Sequence, residues 1–171
     1  MEFFEAIERR RSIRAYRKKK IEEEKIKKLL EVANSAPSAG NLQAYQIFLV
    51  KDEDKKKKLV GVSYDQEFIA LASVVLVFCA APQTSGQKYG GRGQNLYSIQ
   101  DATISCAYVH LAAVALGLGS VFVGAFDEEK VKRILGIPPN LRPIIILPVG
   151  YPDESPEKTP RLSLKDLVKE I

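Results

Sequence analysis

Val74-Val75-Leu76-Val77-Phe78 runs five residues without a polar side-chain atom, and three of the five are β-branched. So short a run of that composition reads as a strand covered on both faces, near the middle of a sheet. On either side, Tyr45-Gln46-Ile47-Phe48-Leu49-Val50 and Ile144-Ile145-Ile146-Leu147 read as further strands, and Val121-Phe122-Val123 as a short one. Helices fill the spaces between them. Ile26, Leu29, Leu30 and Ala33 recur at three and four residues, which predicts an amphipathic helix over 22–35 that Pro37 stops. Phe3, Phe4 and Ile7 share one face of a shorter helix over 2–10, and 127–135 forms another. The stretch 97–116 is apolar nearly all round and ends at Gly117-Leu118-Gly119, so a long buried helix is expected there. Residues 51–61 read as a polar surface helix with its four lysines at 55–58 in solvent, and the Gly-, Gln- and Ser-rich residues 82–95 as a mobile loop. No internal repeat or linker divides the chain, so 1–171 is expected as a single domain.

Pro148, Pro152, Pro156 and Pro160 recur at every fourth position and argue against a regular helix or central strand there. Leu162, Leu164, Leu167 and Val168 follow them and need a surface to pack on. Residues 151–171 therefore read as an extended arm that can cross a small domain or reach a second chain, since such a segment gains about 3.1 Å per residue. The apolar fraction of 46% and charged fraction of 27% are those of a globular protein, and one domain of this length buries roughly two-thirds of its unfolded surface. Cys79 and Cys106 lie inside apolar runs and read as small buried hydrophobes, not a disulfide. No basic start followed by an apolar core marks a signal peptide. Residues 104–126 carry no formal charge, but Ser105, His110 and several glycines interrupt them, and acids flank them. They read as a buried helix, a turn and a strand instead of a membrane span. The expected setting is cytoplasmic, and the charge-rich, Trp-free composition suits a heat-adapted source.

Absences narrow the chemistry. One His and two separated Cys leave no zinc pattern, no phosphate-binding P-loop occurs, and Gly90-Gly91-Arg92-Gly93 lacks the setting of a dinucleotide fingerprint. His110 sits mid-helix among apolar residues and reads as structural. A chain so poor in acid–base groups borrows its chemistry from a cofactor, which directs attention to residues that hold anions. Eleven of the 26 Lys and Arg lie between Arg9 and Lys28, against three acids. Within that cluster, Arg10-Arg11-Ser12-Ile13-Arg14 can grip phosphate through forked guanidinium bonds and a hydroxyl, with Arg10 and Arg14 converging whether the segment is helical or extended. It can equally be a solvated basic helix end. Ser35-Ala36-Pro37-Ser38-Ala39-Gly40-Asn41-Leu42-Gln43 is by itself a helix stop and turn. The glycines of 117–126 admit a flat ligand or a close backbone equally well, and Lys158 and Arg161 are individually ordinary charges.

In this order and spacing, the segments resemble the nitroreductase family of FMN-dependent oxidoreductases over nearly the whole chain. The paired Arg-Arg-Ser-x-Arg and Ala-Pro-Ser-x-x-Asn-x-Gln motifs carry most of the likeness, helped by Gln100-Asp101-Ala102 and the Gly-Leu-Gly-Ser…Val-Gly-Ala-Phe segment. The resemblance implies an α+β fold, three-layer α/β/α-like, with a central mixed, largely antiparallel sheet flanked by helices and a C-terminal arm. It implies that Arg10, Arg11, Ser12 and Arg14 hold the phosphate and pyrimidine edge of FMN, while Pro37, Ser38, Ala39 and Asn41 close over it from the second subunit of a homodimer. By the same resemblance Gln43 and Gln66 add polar contacts, Val123, Gly124 and Ala125 line the ring, and Arg161 with Lys158 reaches the phosphate. Tyr89 and Tyr97, in a shortened lid over 82–97, would cap the substrate. The implied activity passes a hydride from NAD(P)H to the flavin and on to a nitroaromatic, quinone or similar small acceptor by ping-pong turnover. No protein side chain serves as catalyst, and no metal, nucleic acid or membrane is involved.

The chain departs from the family pattern in reading Gln43-Ala44-Tyr45 where Gln-Pro-Trp is common, and Lys158-Thr159-Pro160-Arg161 where Lys-x-Arg is common. Other readings stay open at this point: a specialised flavin enzyme of the reductive dehalogenase or flavin-destructase type, a flavin-binding protein with little turnover, and a nucleic-acid-binding module using Arg9 to Lys28.

Overall fold

The computed structural model describes all residues, 1–171. Its centre is β2 (Val74–Ala80), every residue of which is buried. Alternation along that strand divides the core in two. Val75, Val77 and Cys79 face one cluster, and Val74, Leu76 and Phe78 face the other. β1 (Tyr45–Val50) and β4 (Arg142–Gly150) flank β2 on either side, and β3 (Gly119–Ser120) lies beyond β4 in the order β1-β2-β4-β3. All the ladders are antiparallel; the one parallel pairing is an isolated bridge from Ser12 to Ser120.

Helices cover both faces. α3 (Glu53–Gly61), α4 (Phe68–Leu71) and α7 (Glu128–Leu135) put Leu59, Ile69 and Val131 on the first face. α2 (Glu23–Asn34) and α6 (Ser98–Ala115) cover the second with Ile26, Leu29, Ala33, Cys106, Val109 and Ala113. α6 is apolar nearly all round because it packs on the sheet and under α2, and its buried polar residues Asp101, Ser105 and His110 turn inward to partners. The Ser105 hydroxyl donates to Ala33 O at 3.0 Å. Asp52 and Asp127 cap α3 and α7, accepting from Lys55 N at 2.8 Å and Lys130 N at 3.0 Å. The result is the expected α+β, three-layer arrangement. No helix is long and apolar enough to cross a membrane.

Four expectations are corrected. Residues 82–95 are not a loop: α5 (Pro82–Arg92) runs into a π-helical turn, Gly93–Tyr97. The chain turns at Gly90, whose φ of 56° suits glycine, and a Cβ on Gly93 would strike the Ser85 carbonyl. Gly90 therefore serves the turn and Gly93 the close packing of the two helical turns. The lysine run is not uniformly solvated either. Lys56 is 2% exposed, its Nζ donating to Ala72 O at 2.7 Å and pairing with Glu53 at 2.8 Å. Its alkyl stem fills space between α3 and α4 while its head caps a free helix-end carbonyl.

The third correction concerns Pro148, which lies inside the central strand β4, opposite Val75. Proline has no N–H to give, and pairing along the other side of β4 lapses between Ser120 and Val123. Tyr16 donates its hydroxyl to Pro148 O at 3.2 Å. For this reason the expected strand at 121–123 reduces to β3 plus one bridge from Val123 to Ile146. Lastly, the arm begins later than 151. Tyr151 O accepts from Arg17 N and Asp153 N donates to Ala15 O, each at 2.9 Å, so these residues belong to the chain's own fold.

Candidate active site

α1 (Phe3–Arg9) ends at Arg10, whose ψ of 126° turns the chain into an extended strip. The strip lies along β3: Ile13 N donates to Ser120 O at 3.1 Å, and Gly119 leaves room for the Ile13 side chain against the backbone. In an extended strip alternate residues share a side. Ile13 enters the core, so Arg10, Ser12 and Arg14 point away from it. Arg10 reaches His110, with Nη1 3.3 Å from Nε2. Arg14 instead lies over the Phe68 ring at 6.0 Å, so the two guanidiniums do not converge but serve different neighbourhoods. Arg11 bonds Glu8 O at 2.6 Å and Arg10 O at 2.9 Å, and its buried Nε has no partner.

Arg10, Arg11, Lys158 and Arg161 line one cleft of about 280 Å³ with Phe4, Ile7, Glu8 and Thr159. Four cations there face one carboxylate, Glu8, which stands 3.9 Å from Lys158. Burial first, then the charges of Arg161 and Arg11, holds the Arg10 pKa below its usual value. An anion in the cleft relieves that crowding and finds forked guanidinium donors and a lysine. The donor set therefore fits a phosphate.

Beyond Arg14 the strip leads to a second patch. Gln66 Nε2 donates to Ser63 O at 2.8 Å and reaches Ala125 O at 3.4 Å, which brings Gln66 beside the 123–125 segment. Gly124 and Ala125 are exposed, whereas the Val123 side chain is 2% exposed and points into the core. Val123 can face a ligand only through its backbone.

The turn at 37–43 is built apart from this. Gly40, Asn41 and Gln43 all take positive φ. Ser38 Oγ accepts from Gln43 N at 3.0 Å, and Gln43 Nε2 donates to Asn41 Oδ1 at 2.6 Å. Asp101, 2% exposed at the start of α6, accepts from Ala39 N at 2.9 Å and Ala44 N at 3.4 Å, bracing the turn from beneath. Tyr89 lays its hydroxyl against Gly40 and meets Tyr97 edge to face at 5.2 Å, and Arg92 Nε donates to the Tyr97 hydroxyl at 2.9 Å. None of Pro37, Ser38, Ala39, Asn41, Gln43, Tyr89 and Tyr97 lines the cationic cleft of the same chain.

Sequence reasoning missed two supports. Asp101 was visible only as part of a motif, and nothing in the sequence signals that its carboxylate braces a turn some sixty residues earlier. His110 was read as structural, and its contact with Arg10 arises from folding across 100 residues. Burial, and then the Arg10 charge, lowers its pKa to about 4, so it is neutral near pH 7. Burial likewise pushes the Cys79 thiol up to about 12 and Cys106 well above its usual range, leaving both as unreactive apolar groups. No group of three or more His, Cys, Asp or Glu side chains is arranged to hold a metal. Much of the basic N-terminal segment is matched by acids: Arg9 with Glu5, Arg17 with Asp153, Lys19 and Lys25 with Glu22, Lys27 and Lys28 with Glu31.

The nitroreductase family model matches residues 7–67 and 60–151. An NADH dehydrogenase of Thermus thermophilus is 32% identical, the match covering 94% of this chain and 91% of that protein. An FMN reductase (NADPH) of Bacillus subtilis is 29% identical over 92% of this chain and 69% of its own length. The solved structure of the NADPH:FMN oxidoreductase of Vibrio harveyi, complexed with NAD+, superposes with a TM-score of 0.90 at 28% identity, covering 98% of this chain and 76% of that one. Both motif-bearing segments and all four strands fall inside the matched regions, and the chain belongs to the nitroreductase family.

Proposed function

We propose that this protein is an FMN-dependent oxidoreductase, working as a homodimer, that takes reducing equivalents from NAD(P)H and delivers them to a small acceptor such as a nitroaromatic or quinone. The observation that carries the reading is the cleft in which Arg10, Arg11, Lys158 and Arg161 gather around a space with one opposing carboxylate. FMN would supply the hydride chemistry, which the protein's own side chains lack. Arg10, Arg11, Lys158 and Arg161 would hold its phosphate, with Ser12 adding a hydroxyl. Arg14, over Phe68, and Gln66, beside Ala125, would face the pyrimidine edge, where positive charge and an amide favour added negative charge on the ring.

The partner supplies the other wall in this reading. Pro37, Ser38, Ala39 and Asn41, with Gln43 fastening the turn, would close over the ring from the second subunit, bringing Tyr89 and Tyr97 with them to cap the substrate. In this reading one face of the ring stays open for both reductant and acceptor, so turnover should be ping-pong, with parallel double-reciprocal lines. The first test is the visible spectrum of the purified protein, with chromatography of whatever flavin heat releases. Stoichiometric FMN is expected. A colourless protein that also fails to take up added FMN overturns the reading. NAD(P)H oxidation in the presence of nitroaromatics, quinones and halogenated phenols then identifies the acceptor class.

A further inference from the structure

His110 is the only histidine in the chain, 7% exposed, and it touches both the candidate anion site and the strand beneath it. Its Nε2 stands 3.3 Å from Arg10 Nη1, and its Nδ1 stands 2.6 Å from Ser120 Oγ. A guanidinium can only donate, so Nε2 must be the acceptor and the ring proton must sit on Nδ1, directed at the serine oxygen. Ser120 is 1% exposed and is itself pinned, its carbonyl accepting from Ile13 N at 3.1 Å. The Phe122 ring packs edge-on against the imidazole at 5.2 Å. Every degree of freedom of the ring is thus taken up by β3, the segment after it, or the Arg10 strip.

The choice of partner matters electrostatically. Arg10 stands among Arg11, Lys158 and Arg161, a setting that tends to push its guanidinium out toward water. A carboxylate at position 110 would hold it, but would also cancel its charge and repel an incoming phosphate. A neutral imidazole lone pair fixes direction and leaves the charge intact. The depressed pKa of His110 agrees with this, since burial and Arg10 both favour the neutral ring. Building on the proposed role of Arg10 at the phosphate, we infer that His110 is a positioning residue for that site: oriented by Ser120, its imidazole aims the Arg10 guanidinium at the phosphate of a flavin nucleotide without neutralising it.

The two amide replacements of His110 separate its two nitrogens. Gln carries its amide head to the place of Nε2 and can still accept from Arg10, whereas Asn carries it to the place of Nδ1 and meets Ser120 alone. FMN and riboflavin differ by the phosphate, so the ratio of their dissociation constants on the full-length, flavin-stripped protein reads the phosphate contact and little else. Flavin fluorescence quenching gives both constants.

His110→Asn should weaken FMN about tenfold with riboflavin unchanged, the order expected for one misaligned charge-assisted contact, while His110→Gln keeps a near-native ratio. Equal losses for both flavins in both variants mean a packing role and overturn the inference, as does an unchanged ratio in His110→Asn. Arg10→Ala is the control. If it leaves the ratio unchanged, the phosphate is not held at Arg10, and the functional reading of the cleft fails along with the inference. If it collapses the ratio while the Asn and Gln variants match each other, the inference alone fails.

Discussion

Arg10 and Arg14 are four residues apart in an extended strip, yet their guanidiniums meet different surroundings, and the difference is measurable. Arg10 is crowded by cations in the cleft, whereas Arg14 lies over Phe68, close to Gln66 in sequence and away from Lys158 and Arg161. Arg14→Ala should therefore cost FMN binding about 2 kcal/mol, roughly thirtyfold in Kd, and should cost riboflavin about as much, because the ring edge is common to both flavins. Flavin titration of the variant checks this, and unchanged affinity for both removes Arg14 from the site. His110 makes a prediction about acid instead. Its pKa falls from an ordinary 6.5 to about 4 on folding, so between those values the unfolded chain binds more protons than the native one. Its contribution to stability is then complete above about pH 6.5, declines as pH drops, and is exhausted near pH 4, an effect of up to about 3 kcal/mol. Urea unfolding of the flavin-free chain at pH 4 to 7 should show a steeper acid decline in the wild type than in His110→Gln. Parallel curves would place the burial cost elsewhere.

The elements show which physical signals a sequence carries openly. β2 was legible because its apolar run is continuous, and α2 because Ile26, Leu29 and Ala33 repeat with the helical period. α5 was not, since Gly86, Gly90 and Gly93 look like flexibility until the Gln94 side chain against Gly86, the positive φ of Gly90 and the Ser85 backbone against Gly93 are known. Lys56 and Pro148 were misread for a related reason: each is an exception whose compensation, the Ala72 carbonyl for one and the Tyr16 hydroxyl for the other, lies far along the chain. The candidate site divides in the same way. Its cations stood out as a motif, but their supports did not. Asp101 is such a support, and the turn it braces holds three residues at positive φ, a conformation costly for Asn41 and Gln43. Asp101→Ala removes the acceptor for Ala39 N and Ala44 N. It should cost about 3 kcal/mol of stability, seen as a lower urea midpoint, and faster hydrogen exchange at those two amides. Exchange unchanged at 39 and 44 would show that the turn stands without its brace.

Across the whole molecule, one class of surface remains unexplained by a single chain. Phe3 and Phe4 are 63% and 80% exposed, and Leu162, Leu164, Leu167 and Val168 stand out from the arm, where α8 (Leu164–Leu167) buries no residue. Side chains of this size left in water forgo roughly 2 kcal/mol apiece, and the proposed homodimer would give them a surface to cover. The arm's root is different. Tyr151, Asp153 and Glu154 bond the 14–17 strip, the Glu154 carboxylate accepting from Arg14 N and Ala15 N, so the root holds the candidate site in its own chain whatever the tip does. Root and tip can therefore be separated experimentally by cutting after Arg161, which spares both the root and the cleft's arm residues, Lys158 and Arg161. Removing 162–171 should convert a dimer to a monomer in light scattering and, by taking the partner's 37–43 turn from the ring, weaken FMN while leaving the fold's circular dichroism unchanged. A truncated chain that remains dimeric with full FMN affinity would mean that the helical and aromatic surface near Phe3 and Phe4 holds the subunits together unaided.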